Sequence, residues 1–438
     1  MPTSSDKPAV EAPRTRDVKR EKNPLKRFFK LLGPGLITGA SDDDPSGIGT
    51  YSQAGAQFGF SMLWMAWVTY PLMATVQYIC AKIGLVTGVG LSGVLRKHYP
   101  RPVLWVCVAL LAIANTINVG ADLGAMAASV HLLVPSIPAM AVLFPIAAVF
   151  VLVLVFGSYQ NIVRIFKWLT LSLFAYVLAA FFTHPNWSMV LHHTFIPDIR
   201  FNKDYLAMYV GLLGTTISPY LFFWQTSAEV EEERAAGYKY WQRLGASDDD
   251  LKYAAADVNT GMFFSNLVMY FIILTTGATL FTAGQHQIAS ADQAAMALKP
   301  LAGPFAEVLF AIGIIGTGFL AVPVLVGSCA YALSTVFGWR RGLYEKWYRA
   351  KQFYGVIVVA FFIGMGLNFF HVNAMAALFW TAVINGVLAP PLLVMIMLIS
   401  NNRKIMGNRV NSTLVNVLGW ITTVAMTVAA VGLIVTSI

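Results

Sequence analysis

Apolar positions along this chain come in long blocks rather than in the alternation of a half-buried strand or the 3.6-residue stripe of a surface helix. Eleven blocks run near 31–57, 61–88, 102–130, 138–156, 160–182, 205–227, 258–283, 304–336, 353–370, 373–399 and 412–437. A helix needs about 20 residues to cross a hydrocarbon core. The pattern therefore predicts an all-α integral membrane protein with about 11 transmembrane helices. There is no 20- to 50-residue repeat and no low-complexity tract. Ahead of the first block, "MPTSSDKPAVEAPRTRDVKREKNPLKR" lacks a signal peptide's apolar run and reads as a disordered basic tail over residues 1–28.

Composition strengthens the membrane reading: 57% of the residues are hydrophobic and 12% charged, with a mean hydropathy of +0.64. A soluble domain carries about 25% charge. The formal net charge of +9 sits in alternate connections: the tail, "RKHYPR" (Arg96 to Arg101), "GWRRGLYEKWYRAK" (Gly338 to Lys351) and "NNRKIMGNR" (Asn401 to Arg409). Intervening turns such as "HLLVPSIP" carry almost none. This asymmetry predicts a multi-pass protein of the cytoplasmic (inner) membrane, with the N-terminus cytoplasmic and the C-terminus outside. The basic excess thus reports topology and contact with the lipid bilayer, and implies no nucleic-acid partner. Cys80, Cys107 and Cys329 fall inside spans without metal-ligand spacing and read as packing residues.

One stretch does not belong in a membrane. "SDDDPSGIG" (Ser41 to Gly49) lies at mid-depth in the first block. Pro45, Gly47 and Gly49 should break the helix there and free backbone carbonyls, which at that depth is tolerated only where they are buried in protein or line a wet cavity. A carboxylate beside freed carbonyls makes a cation site. Successive helical side chains diverge by about 100°, so the three carboxylates cannot all face one ion. Asp44, beside the break, is the candidate ligand, and Asp42 or Asp43 is expected to face a cytoplasmic vestibule. The alternative is that all three sit hydrated in a wide entrance. A second interruption, "GLLGTTISPYLFFWQTS" (Gly211 to Ser227), places Gly214, a run of hydroxyls and Pro219 in the sixth block. Two broken helices, each opening a five-span half, point to an inverted-repeat transporter with its site at the midplane. The expected core spans 29–400, with halves 29–183 and 205–400, and residues 401–438 add an eleventh helix.

The residues "GPGLITGASDDDPSGIGTYSQAGAQFGF", "NVGADLGAMAA", "ISPYLFFWQTS", "DVNTGMFFSN" and "GVLAPPLL", in that order, resemble the Nramp (natural resistance-associated macrophage protein) family of divalent metal transporters. The resemblance implies a LeuT-like 5+5 fold, a divalent metal ion as substrate with no cofactor, and a metal site where spans one and six unwind. In typical members the first break reads Asp-Pro-Gly-Asn; here it reads Asp44, Pro45, Ser46 and Gly47, so the Asp ligand is kept and the Asn ligand is lost. The second, Met-Pro-His, becomes Ser218, Pro219 and Tyr220, which replaces a thioether by a hydroxyl. Ser41 and Thr215 match the carbonyl ligands, with Thr216 beside them. An all-oxygen site with room for retained water suits Mg²⁺ better than a soft metal, and the pattern is similar to the Nramp-related magnesium-transporter branch.

The family's proton relay is altered too. Its two span-six histidines correspond to Tyr220 and Gln225, and span three keeps Asp122 but has Ala125 where a Glu is expected. Transport of Mg²⁺ or Mn²⁺ without proton coupling follows as the expectation. At 100 mV, inside negative, a divalent cation gains about 4.6 kcal/mol on entry. Asp122 reads equally as a proton acceptor or a buried hydrogen-bonded carboxylate, and Asn115 and Asn118 read as interhelical hydrogen-bonders. "EVEEERAAG" (Glu229 to Gly237) reads as a solvated helix end, while Trp64, Trp67, Trp105, Trp241, Trp347 and Trp420 read as interface anchors. The rival functions are a same-fold carrier of an organic cation, suggested by Tyr220, Phe222, Phe223 and Trp224, and a proton-coupled Mn²⁺/Fe²⁺ transporter. No nucleophile–base pair, zinc motif or P-loop supports an enzyme or a nucleotide partner.

Overall fold

The computed structural model describes residues 10–157, 173–370 and 373–437, and no strand occurs among them. In chain order the helices of eight residues or more are α1 (Pro13–Arg20), α2 (Pro24–Leu31), α3 (Pro34–Asp42), α4 (Pro45–Phe58), α5 (Trp64–Thr87), α6 (Leu91–His98), α7 (Arg101–Leu133), α8 (Ala139–Phe156) and α9 (Phe174–Phe182). They continue as α10 (Trp187–Phe195), α11 (Lys203–Thr216), α12 (Pro219–Ala235), α13 (Asp248–Thr276), α14 (Ala306–Phe337), α15 (Lys351–Leu367), α16 (Ala374–Ser400) and α17 (Thr413–Ser437).

Eight stretches among the described residues are long and apolar enough to cross a membrane, and α5 with α6, bent by 63°, makes a ninth. The other two expected spans differ for separate reasons. The first is divided into α3 and α4, neither long enough alone. Of the fifth, expected at 160–182, residues 160–172 lie outside the described residues and the remainder forms α9.

Burial sorts the spans into centre and periphery. In the α11–α12 span 89% of the apolar window is buried within the protein, against 22% in α8. The sixth span is therefore the core of the molecule, and α8 turns Phe144, Val149 and Leu152 outward, as a lipid-facing helix does. Close approach at the centre depends on missing side chains. A Cβ on Gly35 of α3 would meet the α13 backbone, 2.6 Å from Val258 N, and Gly261 of α13 meets the α3 backbone in return. Such small-residue seams let membrane helices pack backbone to backbone.

Two expectations fail at the periphery. Residues 10–31 form α1 and α2, with Thr15 and Val18 fully covered, so this part of the chain is docked rather than disordered. Ala12 N donates to Asp250 Oδ1 at 3.0 Å, and Tyr238 OH donates to the Glu11 carbonyl at 3.0 Å. These partners lie more than 200 residues away, out of reach of any local pattern. Trp64 is buried and stacks on Tyr209 with ring centroids 6.1 Å apart, whereas Trp67, Trp105, Trp241, Trp347 and Trp420 are exposed. Cys80, Cys107 and Cys329 are buried free thiols, in keeping with packing roles.

Candidate functional site

Both breaks have the same construction. α3 ends at Asp42 and α4 restarts with Pro45 at its first position; α11 ends at Thr216 and α12 restarts with Pro219 at its first position. Proline is favoured there, because its missing N–H belongs to a turn that has no intrahelical partner anyway. Asp44 caps the restarted α4: its Oδ1 accepts from Gly47 N at 2.7 Å and from Ser46 Oγ at 2.6 Å. A cap of this kind is worth about 1 kcal/mol. Ser218, the matching residue of the other break, makes no cap. Its hydroxyl turns back to the carbonyls of Gly214 and Thr215, each at 2.8 Å.

The second oxygen of Asp44 looks across the bundle. Asn118 Nδ2 lies 3.5 Å from Oδ2 and Tyr220 OH lies 3.4 Å from it. Asn118 in turn accepts from Asn385 Nδ2 at 3.4 Å. Spans one, three, six and ten thus meet at one carboxylate. Tyr220 OH also donates to the Ser41 carbonyl at 2.7 Å. The two carbonyls expected to be free, Ser41 and Thr215, are therefore each held by a hydroxyl from the second break. Either keeps a second lone pair for a cation.

Gly47 brings the two breaks together, because a Cβ there would begin 3.0 Å from Thr215 Oγ1. Ser41, Asp44, Thr215, Ser218 and Tyr220 are each at most 1% exposed, so this arrangement is closed to both faces. Ser41 Oγ is buried without a hydrogen-bond partner, and Tyr51 OH is buried facing the Thr215 hydroxyl. Thr216, grouped with them in the sequence, instead donates back to the Leu212 carbonyl of its own helix at 2.8 Å.

Asp42 and Asp43 do not face a vestibule. Both are buried, and Ser265 Oγ of α13 donates to Asp42 Oδ2 at 2.7 Å and lies 3.2 Å from Asp43 Oδ1. The glycine seam between α3 and α13 leaves no space for an entrance on that side. Asp122 is also fully buried, beside the Ser46 backbone N–H. None of these four carboxylates takes part in an ion pair among the described residues. No three His, Cys, Asp or Glu residues of the described chain are grouped to hold a metal by themselves; any cation here would rely on hydroxyls, carbonyls and water beside a carboxylate. Asn115 is an interhelical hydrogen-bonder as expected, reaching the Leu325 carbonyl at 2.8 Å.

A second polar layer lies toward the face that carries the N-terminal helices. Thr38 of α3 donates to Gln225 Oε1, and Gln225 Nε2 donates to Glu229 Oε1 at 2.9 Å. Glu229 is buried, not solvated, and Arg14 Nη2 reaches its Oε2 at 3.1 Å. Burial alone would lower the Arg14 pKa, but Glu229, Glu232 and Asp257 outweigh it and hold the guanidinium above its usual value. Beside this layer a cavity of about 550 Å³ is lined by Pro13, Ile37, Ala228, Glu231 and Glu232 among others. At the opposite face a cavity of about 240 Å³ is lined by Ala125, Ser129, His131, Asp292 and Leu378 among others. Ser265, Asn385 and Arg14 were absent from the sequence-derived set; an isolated Ser, Asn or Arg has no local signature that reveals its partner.

The sequence matches the family described as "Natural resistance-associated macrophage protein-like" over residues 35–436. The chain belongs to the Nramp family. This is a family of membrane transporters, not enzymes. Among relatives, a protein of Yersinia enterocolitica named divalent metal cation transporter MntH is 27% identical over 89% of this chain and 91% of its own. The fold is similar to a crystal structure of the Eremococcus coleocola manganese transporter in complex with an aromatic bis-isothiourea compound (TM-score 0.73, 17% identity, 98% of this chain and 90% of that one). It is also similar to Mhp1, a nucleobase-cation-symport-1 family transporter in a closed conformation (TM-score 0.57, 15% identity, 92% and 90% covered). The expected LeuT-like Nramp architecture is thus the observed one.

Proposed function

We propose that this Nramp protein carries divalent metal cations across the cytoplasmic membrane by alternating access, with Mg²⁺ and Mn²⁺ as the favoured cargo and no proton coupling. The observation that carries this reading is the set of buried carboxylates without basic partners, gathered at the first break and on span three. A buried, unpaired carboxylate is costly, and a cation passing between the breaks relieves that cost. The names of the Yersinia and Eremococcus relatives support a divalent metal as the cargo class. Asp44 is the charged ligand in this proposal. The Ser41 and Thr215 carbonyls, the Ser218 hydroxyl and the space beside Gly47 supply oxygen ligands and room for retained water, which Mg²⁺ favours. With Tyr220 and Gln225 in place of imidazoles, span six lacks the pair of histidines whose ordinary pKa lies near neutral. The basic connections support a cytoplasmic N-terminus. The halves 29–183 and 205–400 form the working pair, with the eleventh span outside it.

The test is uptake by proteoliposomes given Mg²⁺, Mn²⁺ or Ca²⁺ in parallel, with the membrane potential and the pH gradient set independently. Uptake should follow the potential and leave lumenal pH unchanged. Metal-dependent proton entry would overturn the uncoupled mechanism, and strong preference for Cd²⁺ over Mg²⁺ would overturn the hard-ion assignment.

A further inference from the structure

We propose that Arg14 is a latch: a single guanidinium from the N-terminal segment that holds the path from the central site to the N-terminal face closed, and whose release opens it. The proposal rests on the alternating-access reading but on no particular cargo.

A route from the breaks to this face must part α3, α12 and α13, and several of the polar contacts that hold them together converge on one side chain. Arg14 Nη1 lies 2.7 Å from Asp257 Oδ2 on α13, and Nη2 lies 3.1 Å from Glu229 Oε2 on α12. Its Nε is 3.8 Å from Glu232 Oε2, one turn of α12 away from the buried pair. Asp257 also fixes α3, accepting from Gly33 N at 2.9 Å, Gly35 N at 2.8 Å and Leu36 N at 3.0 Å. Glu229 continues through Gln225 to Thr38, deeper on α3. Arg14 thus joins a carboxylate that holds α3 and α13 to a carboxylate that holds α12.

The strength of these links is unequal in a useful way. If Arg14 leaves, Asp257 keeps three backbone donors and stays satisfied against α3. Glu229 keeps only Gln225, and its Oε2 is left buried without a partner. Loss of the latch should therefore favour a state in which water reaches Glu229, which means a parted α12. Arg14 can leave as a unit, because it sits on the eight-residue α1. Besides Arg14 that helix is held by the packing of Thr15 and Val18 and by polar contacts that include Ala12 N to Asp250, Tyr238 OH to Glu11, Lys19 to Asp249 at 2.5 Å, and Arg16 over the Tyr238 ring at 5.2 Å. Pro13, beside Arg14, lines the cavity of about 550 Å³ at this mouth, so withdrawal of α1 widens a space that already exists.

The test needs no transported metal. Ser41 lies at the inner end of α3, is fully buried, and its hydroxyl has no hydrogen-bond partner, so Ser41→Cys removes no hydrogen bond made by that hydroxyl. A membrane-impermeant maleimide is added on the side that carries the N-terminus, and labelling is compared with the unsubstituted protein, whose three cysteines are buried. Arg14→Gln should speed labelling of Ser41→Cys by about tenfold. In the Ser41 background, Arg14→Gln should leave Mn²⁺ affinity within about twofold, since Arg14 does not touch the breaks. Arg14→Lys, which keeps the charge but not the fork that spans two carboxylates, should be intermediate. Unchanged labelling in Arg14→Gln would overturn the latch. If Arg14→Gln does not fold, wild-type labelling in Arg14→Lys overturns it equally, because Arg14 would then be only a counter-charge. Failure of the wild-type protein to bind any divalent ion would count against the proposed cargo and leave the labelling result to decide the latch.

Discussion

The two helix breaks have one backbone plan and opposite chemistry. Each ends a half-helix, leaves two residues unwound and restarts on a proline. The first break carries three buried carboxylates, while the second carries hydroxyls and an aromatic, with no charge until Glu229. In the proposed function the first therefore supplies attraction for a cation. The second supplies the donors, Ser218 and Tyr220, that hold the Thr215 and Ser41 carbonyls. On the proposed function, one break sets whether an ion binds at all, and the other sets which ion and how tightly.

The largest expected effect comes from removing the charge at the first break. Asp44→Ala deletes a carboxylate that caps α4 and faces Asn118 and Tyr220. A hydrogen bond to a charged group is worth about 1.5–3 kcal/mol, so binding of Mg²⁺ or Mn²⁺ should weaken by roughly one to two decades or more. Calorimetry on the purified protein measures it, with Asp42→Ala and Asp43→Ala as companions. Those two contact Ser265 and should weaken binding less. An unaffected Asp44→Ala beside a dead Asp42→Ala would move the charged ligand to the α13 side and undo the assignment.

How much of this was legible in the sequence depends on the range of each interaction. The spans and breaks were, since long apolar blocks and prolines within them act locally on the helix they interrupt. Asp44 was named because it sits beside one of those prolines, whereas Ser41, Gly47, Thr215 and Ser218 were named from the resemblance to the Nramp motifs. What stayed hidden depends on partners far along the chain. The burial of Asp42 and Asp43 depends on Ser265, over 220 residues on, and the burial of Glu229 on Arg14, 215 residues before it. A basic tail and an acidic helix end each look solvated alone. Together they form one buried cluster.

The intermediate effect tests the second break's control of selectivity. Ser218→Met removes the hydroxyl that holds the Thr215 carbonyl and adds a thioether, which favours polarizable metals. The preference for Cd²⁺ over Mg²⁺ should rise by about tenfold, read as a ratio of binding constants so that any general loosening cancels. Adding Gly47→Asn is a harder test than the sequence suggests, because its Cβ would begin 3.0 Å from Thr215 Oγ1 and 3.3 Å from the Asp42 carbonyl. The double variant should shift preference further only if Thr215 can rotate away. An unchanged Cd²⁺/Mg²⁺ ratio in Ser218→Met would separate the second break from selectivity.

The smallest effect should come from Tyr220→Phe, and its sign is informative. The hydroxyl donates to the Ser41 carbonyl at 2.7 Å and lies 3.4 Å from Asp44 Oδ2. A neutral hydrogen bond of this kind contributes about 0.5–1.5 kcal/mol. In the absence of metal, its loss leaves a buried carbonyl without its donor. With metal bound, the ion satisfies that carbonyl, so the loss falls mainly on the empty protein. The empty state is thereby destabilised relative to the occupied one, and metal should bind tighter by about threefold. The rise in melting temperature on adding Mn²⁺ should grow in step, while the melting temperature without metal falls. A tenfold weakening of Mn²⁺ binding would reverse the inference and make the Tyr220 oxygen itself a ligand, giving the second break a direct share in the attraction that Asp44 is proposed to provide.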